Sequence, residues 1–203
     1  MEFTKDYNGD EQWLKIDKNR VNLLKIPNEF VNLLYEYRND IKDVDEVIMA
    51  IETGTYKAET TKILANHFDR VYTIELYPDN NPYDRSNNRG LYEKLSVEMG
   101  NIEFLMGIKS TDGLKMIISE NPDKRFFILL DAHTTDIEPV KEELLIIKNN
   151  SKRNDHIIMI DDCRDLGKGN SLTKDELISV IKDMNENYKI IETKIGNTVT
   201  LIY

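Results

Sequence analysis

The sequence has very little cysteine and histidine. Its one cysteine, Cys163, excludes an internal disulfide framework and fits a reducing compartment. With three histidines that are far apart in sequence, the chain also has no close histidine pair for zinc. Any metal site in this protein is therefore expected to use oxygen ligands.

Long apolar runs are also missing. No stretch approaches the roughly 20 consecutive apolar residues that a membrane-spanning helix requires, and the first residues do not resemble a signal peptide. We therefore expect a soluble, cytoplasmic protein without a membrane span. A chain of 203 residues has the length of one α/β domain and can bury roughly 70% of its unfolded surface.

Basic residues are fewer than acidic ones. The 27 lysines and arginines face 37 aspartates and glutamates, which gives a formal net charge of −10. Such a chain is repelled by phosphate backbones unless its basic residues gather on one face. The basic cluster at residues 148–153 is short and lies between predicted elements, as a solvated loop would. We therefore expect no nucleic-acid partner.

Short apolar runs alternate with helical patterns along most of the chain. The runs occupy residues 46–52, 70–75, 102–106, 126–130 and 156–160, and the last two segments, 188–193 and 198–203, flank a predicted turn at 194–197. This order predicts a Rossmann-like, doubly wound α/β fold. We expect a mostly parallel, seven-stranded sheet that ends in a C-terminal antiparallel hairpin.

The N-terminal region lacks a clear period. Residues 1–26 are predicted to form a loosely structured arm, which either packs on the domain or folds over the site as a lid. Pro27 suits the first turn of a helix, because proline lacks the N–H that such a turn leaves unpaired. Residues 27–203 are expected to form a single domain.

The chain is organised around the stretch that includes Glu52 and Gly54. An apolar run ends on the Glu52 carboxylate, turns at Gly54 and enters a helical pattern, which is how a strand and a helix meet around a nucleotide-like ligand. Gly54 has no Cβ, so the chain can turn sharply there or approach a ligand. A lone glycine is a weak signal, and an ordinary strand-to-helix turn explains it equally well.

A second carboxylate supports the interpretation of this stretch as a turn around a nucleotide-like ligand. Glu75 ends the run 70–75, about 20 residues after Gly54, where nucleotide-binding α/β folds carry the acid that binds ribose hydroxyls. Ligands of such sheets bind outside the carboxyl ends of the strands. Five acids are predicted to lie at that edge: Glu52, Glu75, Asp131, Asp161 and Asp162.

From about residue 47 to residue 203 this pattern resembles the class I S-adenosylmethionine-dependent methyltransferases. The resemblance implies that the turn after Glu52 holds the methionine end of the cofactor, that Glu75 binds its ribose and that residues 107–110 contact its adenine. Asp131 matches the acid that closes the fourth strand of that family. The implied cofactor-binding residues are Glu52, Thr53, Gly54, Thr55, Tyr56, Glu75, Gly107, Ile108, Lys109, Ser110 and Asp131.

Within that class, the acids near residues 131 and 161 resemble those of the metal-dependent sugar O-methyltransferases. The resemblance implies that Asp131, Asp161 and Asp162 hold Mg²⁺ or Mn²⁺. Asp131 or His133 would then receive the proton of the acceptor, unless His133 only supports a neighbouring ligand of the cation. All-oxygen ligands suit these cations, and a cation would relieve the repulsion between converging carboxylates. The alternative is that Asp161 and Asp162 cap backbone groups of the next loop.

The sequence departs from the family pattern in two places. Ala58 replaces a frequent glycine, and Ile108-Lys109 stands where an acid often binds the adenine amine. The resemblance implies an S-adenosylmethionine-dependent enzyme that methylates a hydroxyl of a sugar or glycan with the help of a divalent cation. The alternatives are a metal-independent small-molecule methyltransferase and a non-catalytic cofactor-binding module.

Overall fold

The computed structural model describes residues 2–5, 11–15, 23–27, 49–79, 81, 85–132, 139–161, 163, 166–167, 172–192 and 199–202. The predicted helix after Pro27, the catalytic candidate His133 and the metal-ligand candidate Asp162 lie outside these residues.

The N-terminal region contains a small antiparallel sheet. Its strands are β1 (Glu2–Lys5), β2 (Glu11–Lys15) and β3 (Leu23–Pro27), in the order β1-β2-β3. The prediction of a loosely structured region is therefore wrong for these segments, and Pro27 ends a strand instead of opening a helix. Proline is tolerated there because β3 is an edge strand among the strands that the structure describes, with β2 as its partner. The role of residues 1–26 as an arm or lid stays a prediction.

From residue 49 onward, the described residues form a larger sheet with helices between its strands, as expected of a Rossmann-like fold. Five strands run parallel, and this part of the fold prediction is confirmed. The elements are β4 (Met49–Thr53), α1 (Glu59–His67), β5 (Arg70–Glu75), α2 (Arg89–Met99), β6 (Ile102–Met106), α3 (Ser110–Glu120), β7 (Phe126–Leu130), α4 (Val140–Asn150), β8 (Ile157–Ile160) and α5 (Lys174–Met184).

Two further strands lie beside β8. They are β9 (Lys189–Glu192) and β10 (Val199–Ile202), and β10 pairs antiparallel with both β8 and β9. The strand order of this sheet is β6-β5-β4-β7-β8-β10-β9. The predicted turn at 194–197 lies outside the described residues, so the hairpin as a unit stays a prediction.

Side chains alternate between the two faces of the sheet and build a core on each. Ile51 belongs to the cluster under α3, α4 and α5, whereas its neighbour Ala50 belongs to the cluster under α1. Every residue of β4 and β7 is buried, as expected of central parallel strands covered on both faces. None of the helices in the described part of the chain is long and apolar enough to cross a membrane.

A buried histidine joins two strands at the edge of the sheet where they begin. The backbone N–H of Phe126 donates to Nδ1 of His156 at 3.1 Å, and Nε2 lies 2.9 Å from the Ser151 hydroxyl. Because a backbone N–H can only donate, Nδ1 is the acceptor and Nε2 carries the proton of the neutral ring. Burial lowers the pKa of His156 to about 4, although the nearby Asp155 carboxylate opposes this shift.

We predict that the protein loses stability in mild acid through His156. The folded-state pKa is below the ordinary 6.5, so the contribution is fully present above pH 6.5 and is lost as the pH falls through 4. The full loss amounts to about 3 kcal/mol. Urea unfolding at several pH values should show it, and His156→Gln, which cannot titrate, should have a flatter profile. Equal slopes for both proteins between pH 6.5 and 4 would contradict the prediction.

Candidate functional site

The carboxyl ends of the parallel strands lie level with one another. In β4, Thr53 is paired with Ile74 of β5 on one side and with Leu130 of β7 on the other. The next pairs outward are Glu75 with Met106 and Leu130 with Ile160. The sheet therefore brings Glu52, Glu75, Asp131 and Asp161 to one edge, as the sequence predicts.

Backbone hydrogen bonds continue the sheet into the loops at this edge. The N–H of Asp131 donates to the carbonyl oxygen of Thr53 at 3.1 Å and lies 3.2 Å from its hydroxyl. The N–H of Asp161 donates to the carbonyl oxygen of Leu130 at 3.0 Å. These bonds fix where the chain leaves β7 and β8, and both aspartates are half-buried there.

Gly54 is held between the ends of two neighbouring strands. Its N–H donates to the Ile74 carbonyl oxygen at 3.0 Å, and its φ is +84°, in the left-handed region that favours glycine. A Cβ at this position would lie 2.4 Å from the carbonyl oxygen of Asp131 and 2.8 Å from its carbonyl carbon. The close approach of the turn to the loop after β7 therefore requires glycine.

The turn from Gly54 to α1 repeats the left-handed conformation at two residues with side chains. Tyr56 has φ of +45° and Ala58 has φ of +56°. A glycine at position 58 would adopt this conformation without strain, whereas an alanine there costs about 1–2 kcal/mol. Ala58 packs beneath Tyr92, and the Tyr92 hydroxyl donates to the Tyr56 carbonyl oxygen. Packing from α2 thus holds the turn.

The Glu75 carboxylate faces the same turn. One oxygen, Oε2, accepts from the backbone N–H of Tyr56 at 2.8 Å, and Oε1 accepts from that of Tyr77 at 2.8 Å. Each carboxylate oxygen can accept a second hydrogen bond, so both remain able to bind a pair of hydroxyls. The N–H of Gly107 donates to the Glu75 backbone carbonyl at 2.7 Å. This bond joins the loop after β6 to the end of β5.

Glu52 is almost fully buried at the end of β4. Its Oε2 accepts from the Thr61 hydroxyl at 2.5 Å and from the Thr73 hydroxyl at 2.7 Å. Burial raises the pKa of Glu52 to about 8, the two hydroxyl bonds lower it, and the charges of Asp131 and Glu75 add to the increase. A neighbouring positive charge would therefore favour the ionised form of Glu52.

The loop after β6 contains the residues that the resemblance assigns to adenine. Gly107 is exposed with φ of +75°, Lys109 is exposed at the start of α3, and Ser110 is the first residue of that helix. Ile108 is partly buried and packs against the main core. The three loops after β4, β5 and β6 therefore adjoin one another, whereas a contact of residues 107–110 with adenine stays a prediction.

Comparison with known proteins rests on structure. No protein-family model matches the chain, and no curated protein matches its sequence. Among solved structures, the methyltransferase domain of bacterial CtHen1-C matches with a TM-score of 0.51 and 11% identity, over 86% of this chain and 97% of that one. The [4+2]-cyclase SpnF matches with a TM-score of 0.51 and 10% identity, over 83% of this chain and 60% of that one.

N-methyltransferase NodS from Bradyrhizobium japonicum matches less well, with a TM-score of 0.46, 12% identity and coverage of 86% of this chain and 95% of that one. The chain shares its α/β fold with the CtHen1-C domain and with SpnF. At these identities the likeness concerns the fold alone, and the same fold carries the reaction of a cyclase in SpnF.

The predicted metal ligands are only partly described. Asp131 and Asp161 follow neighbouring strands, whereas Asp162 and His133 lie outside the described residues. Among the residues that the structure describes, no group of three or more histidine, cysteine, aspartate or glutamate side chains is arranged to hold a metal ion. The metal site therefore stays a prediction.

Three residues contribute to the site without having been predicted from the sequence. Thr61 and Thr73 bind the Glu52 carboxylate, and Tyr92 binds the turn. One sequence signal could have found Thr73, because it is the one threonine within the apolar run of β5. A buried hydroxyl needs a partner, and the acid that ends the neighbouring strand is an available one.

We predict that Gly54→Ala destabilises the protein by more than the cost of a left-handed alanine, which is about 1–2 kcal/mol, because the new Cβ would also collide with the Asp131 carbonyl. Gly100→Ala is the matched control, since Gly100 has φ of +70° but no atom within 4 Å of an added Cβ. Urea unfolding measures both losses of free energy. Equal losses of unfolding free energy would show that the contact between the added Cβ and the Asp131 carbonyl does not destabilise the protein.

Proposed function

We propose that the protein is an S-adenosylmethionine-dependent methyltransferase whose cofactor binds across the ends of β4 and β5. The observation that carries this proposal is the position of two buried acids, Glu52 and Glu75, on either side of the turn that begins at Gly54. Fold likeness alone would leave the ligand open, because the fold also serves a cyclase.

The charge of this edge suits the cofactor. S-adenosylmethionine carries a positive sulfonium and a positive ammonium group, and the edge presents acids at the ends of β4, β5 and β7. Burial and the nearby charges of Asp131 and Glu75 raise the pKa of Glu52. A cation beside Glu52 would relieve the repulsion between these acids. The same charges disfavour a pyrophosphate, which argues against a dinucleotide in this position.

The geometry of Glu75 suits the ribose. Its two oxygens are fixed by the backbone N–H groups of Tyr56 and Tyr77, so the carboxylate has a defined plane before any ligand arrives. A fixed carboxylate can accept hydrogen bonds from the two ribose hydroxyls with little loss of entropy. This arrangement supports Glu75 as the ribose-binding residue.

Methyl transfer from a sulfonium is an in-line displacement, so positioning supplies much of the catalysis, up to roughly 7–11 kcal/mol for well-oriented groups. The acceptor oxygen must approach the methyl carbon and lose its proton. We assign the proton to Asp131 or His133, because Asp131 follows β7 directly beside the Gly54 turn. The cofactor and the acceptor would then meet at the ends of β4 and β7.

We further propose that the acceptor is a hydroxyl of a sugar or glycan. The segments at 78–89 and 163–171 are rich in polar residues. In the described part of the first segment, Arg89 pairs with Asp79 at the surface and Asn88 is buried. Side chains that donate and accept hydrogen bonds suit a hydroxyl-rich acceptor better than an aromatic one.

Asp131 and Asp161 would contribute to a Mg²⁺ or Mn²⁺ site together with Asp162. A bound cation would make a coordinated acceptor hydroxyl more acidic. Methyl transfer to sugar acceptors that is lost in EDTA and restored by Mg²⁺ or Mn²⁺ would support the proposed metal site. Turnover that EDTA leaves unchanged would favour a metal-independent methyltransferase, and cofactor binding without transfer to any acceptor would favour a non-catalytic module.

We predict that the protein binds S-adenosylhomocysteine and that Glu75→Gln weakens this binding about 10- to 100-fold. The reason is that a hydrogen bond to a charged group is worth about 1.5–3 kcal/mol. Glu103→Gln is the matched control, because Glu103 is an exposed acid on β6 that pairs with Arg70. Calorimetric titration measures the three affinities. No binding by the natural protein, or equal affinity in Glu75→Gln, would overturn the proposed function.

A further inference from the structure

We infer that Thr73 and Thr61 are positioning residues that orient Glu52 toward the amino group of the cofactor. This inference rests on the proposed function and concerns the same site. Its basis is a set of four buried side chains in contact, contributed by β4, the turn after it, α1 and β5: Glu52, Thr55, Thr61 and Thr73.

When Glu52 is ionised, the hydrogen bonds of this group have a definite direction. Thr73 donates its one hydroxyl proton to Oε2 of Glu52 at 2.7 Å. The Thr73 hydroxyl also lies 2.6 Å from that of Thr55, so Thr55 must be the donor in this second contact. The direction of donation is therefore from Thr55 to Thr73 and from Thr73 to Glu52, while Thr61 donates to Glu52 from the other side.

Both donors reach the same oxygen of Glu52. Thr61 and Thr73 bind Oε2, and within the described part of the chain no hydrogen bond reaches Oε1. Two donors from different elements fix the rotation of the carboxylate about its last bond, a torsion that is otherwise broad. Oε1 is thereby left as the acceptor for a positive group at the end of β4.

A purely structural role would not require a hydroxyl at position 73. The Thr73 side chain has no exposed surface and lies in a strand, where valine has the same branching and avoids burying a polar group. Thr61 is likewise without exposed surface in α1, where threonine is a weak helix former. Both hydroxyls are instead explained by the carboxylate that they share.

The test compares two ligands on three variants. S-adenosylhomocysteine carries the amino-acid end, whereas 5′-methylthioadenosine shares the nucleoside and lacks that end. We expect Thr73→Val and Thr61→Val to weaken binding of S-adenosylhomocysteine about tenfold and to change binding of 5′-methylthioadenosine less than about twofold. Thr73→Ser keeps the hydroxyl and should restore the affinity. Thermal unfolding of each variant confirms that it is folded.

The outcomes separate this inference from the proposed function. Natural protein that does not bind S-adenosylhomocysteine overturns both. If the natural protein binds it, the inference alone is overturned by Thr73→Val that keeps full affinity, or by equal weakening of both ligands. Failure of Thr73→Ser to restore affinity would also overturn it, because packing would then explain the loss. If Thr73→Val does not fold, Thr61→Val and Thr61→Ser decide by the same criteria.

Discussion

The interaction on which this site depends is the burial of the Glu52 carboxylate among threonine hydroxyls. A buried carboxylate is costly, and burial is the largest cause of its raised pKa. Hydrogen bonds from α1 and β5 offset part of that cost and tie both elements to the end of β4. Glu52, Thr61 and Thr73 therefore form one unit, and a substitution of either threonine would change the environment of the Glu52 carboxylate.

Gly54 supplies the second constraint. Its backbone lies against the loop after β7, so the ends of β4 and β7 stay close and the turn leaves the sheet in a fixed direction. That direction places the backbone N–H of Tyr56 on Glu75 of the next strand. The two acids proposed to bind the cofactor are therefore positioned by the same turn, from opposite sides. A ligand that spans the ends of β4 and β5 would contact both of these acids.

Much of the fold could be predicted because the central strands are continuous apolar runs. The predicted bounds of β5, β6 and β7 agree with the structure to the residue. The edge acids Glu52 and Glu75 followed from the position of each at the end of such a run. The N-terminal strands could not be predicted, because their short segments mix charged and apolar residues without a period. Thr61 and Thr73 were missed because their common partner is decided by tertiary contact, not by spacing in the sequence.

The most direct test of this account is a crystal structure of the protein with S-adenosylhomocysteine. The account predicts that the ribose hydroxyls lie within hydrogen-bond distance of the Glu75 carboxylate and that the amino group lies beside Oε1 of Glu52. A ligand bound elsewhere would contradict it. One such place is the cavity of about 770 Å³ beside β6, which Arg70, Tyr92 and Phe104 help to line.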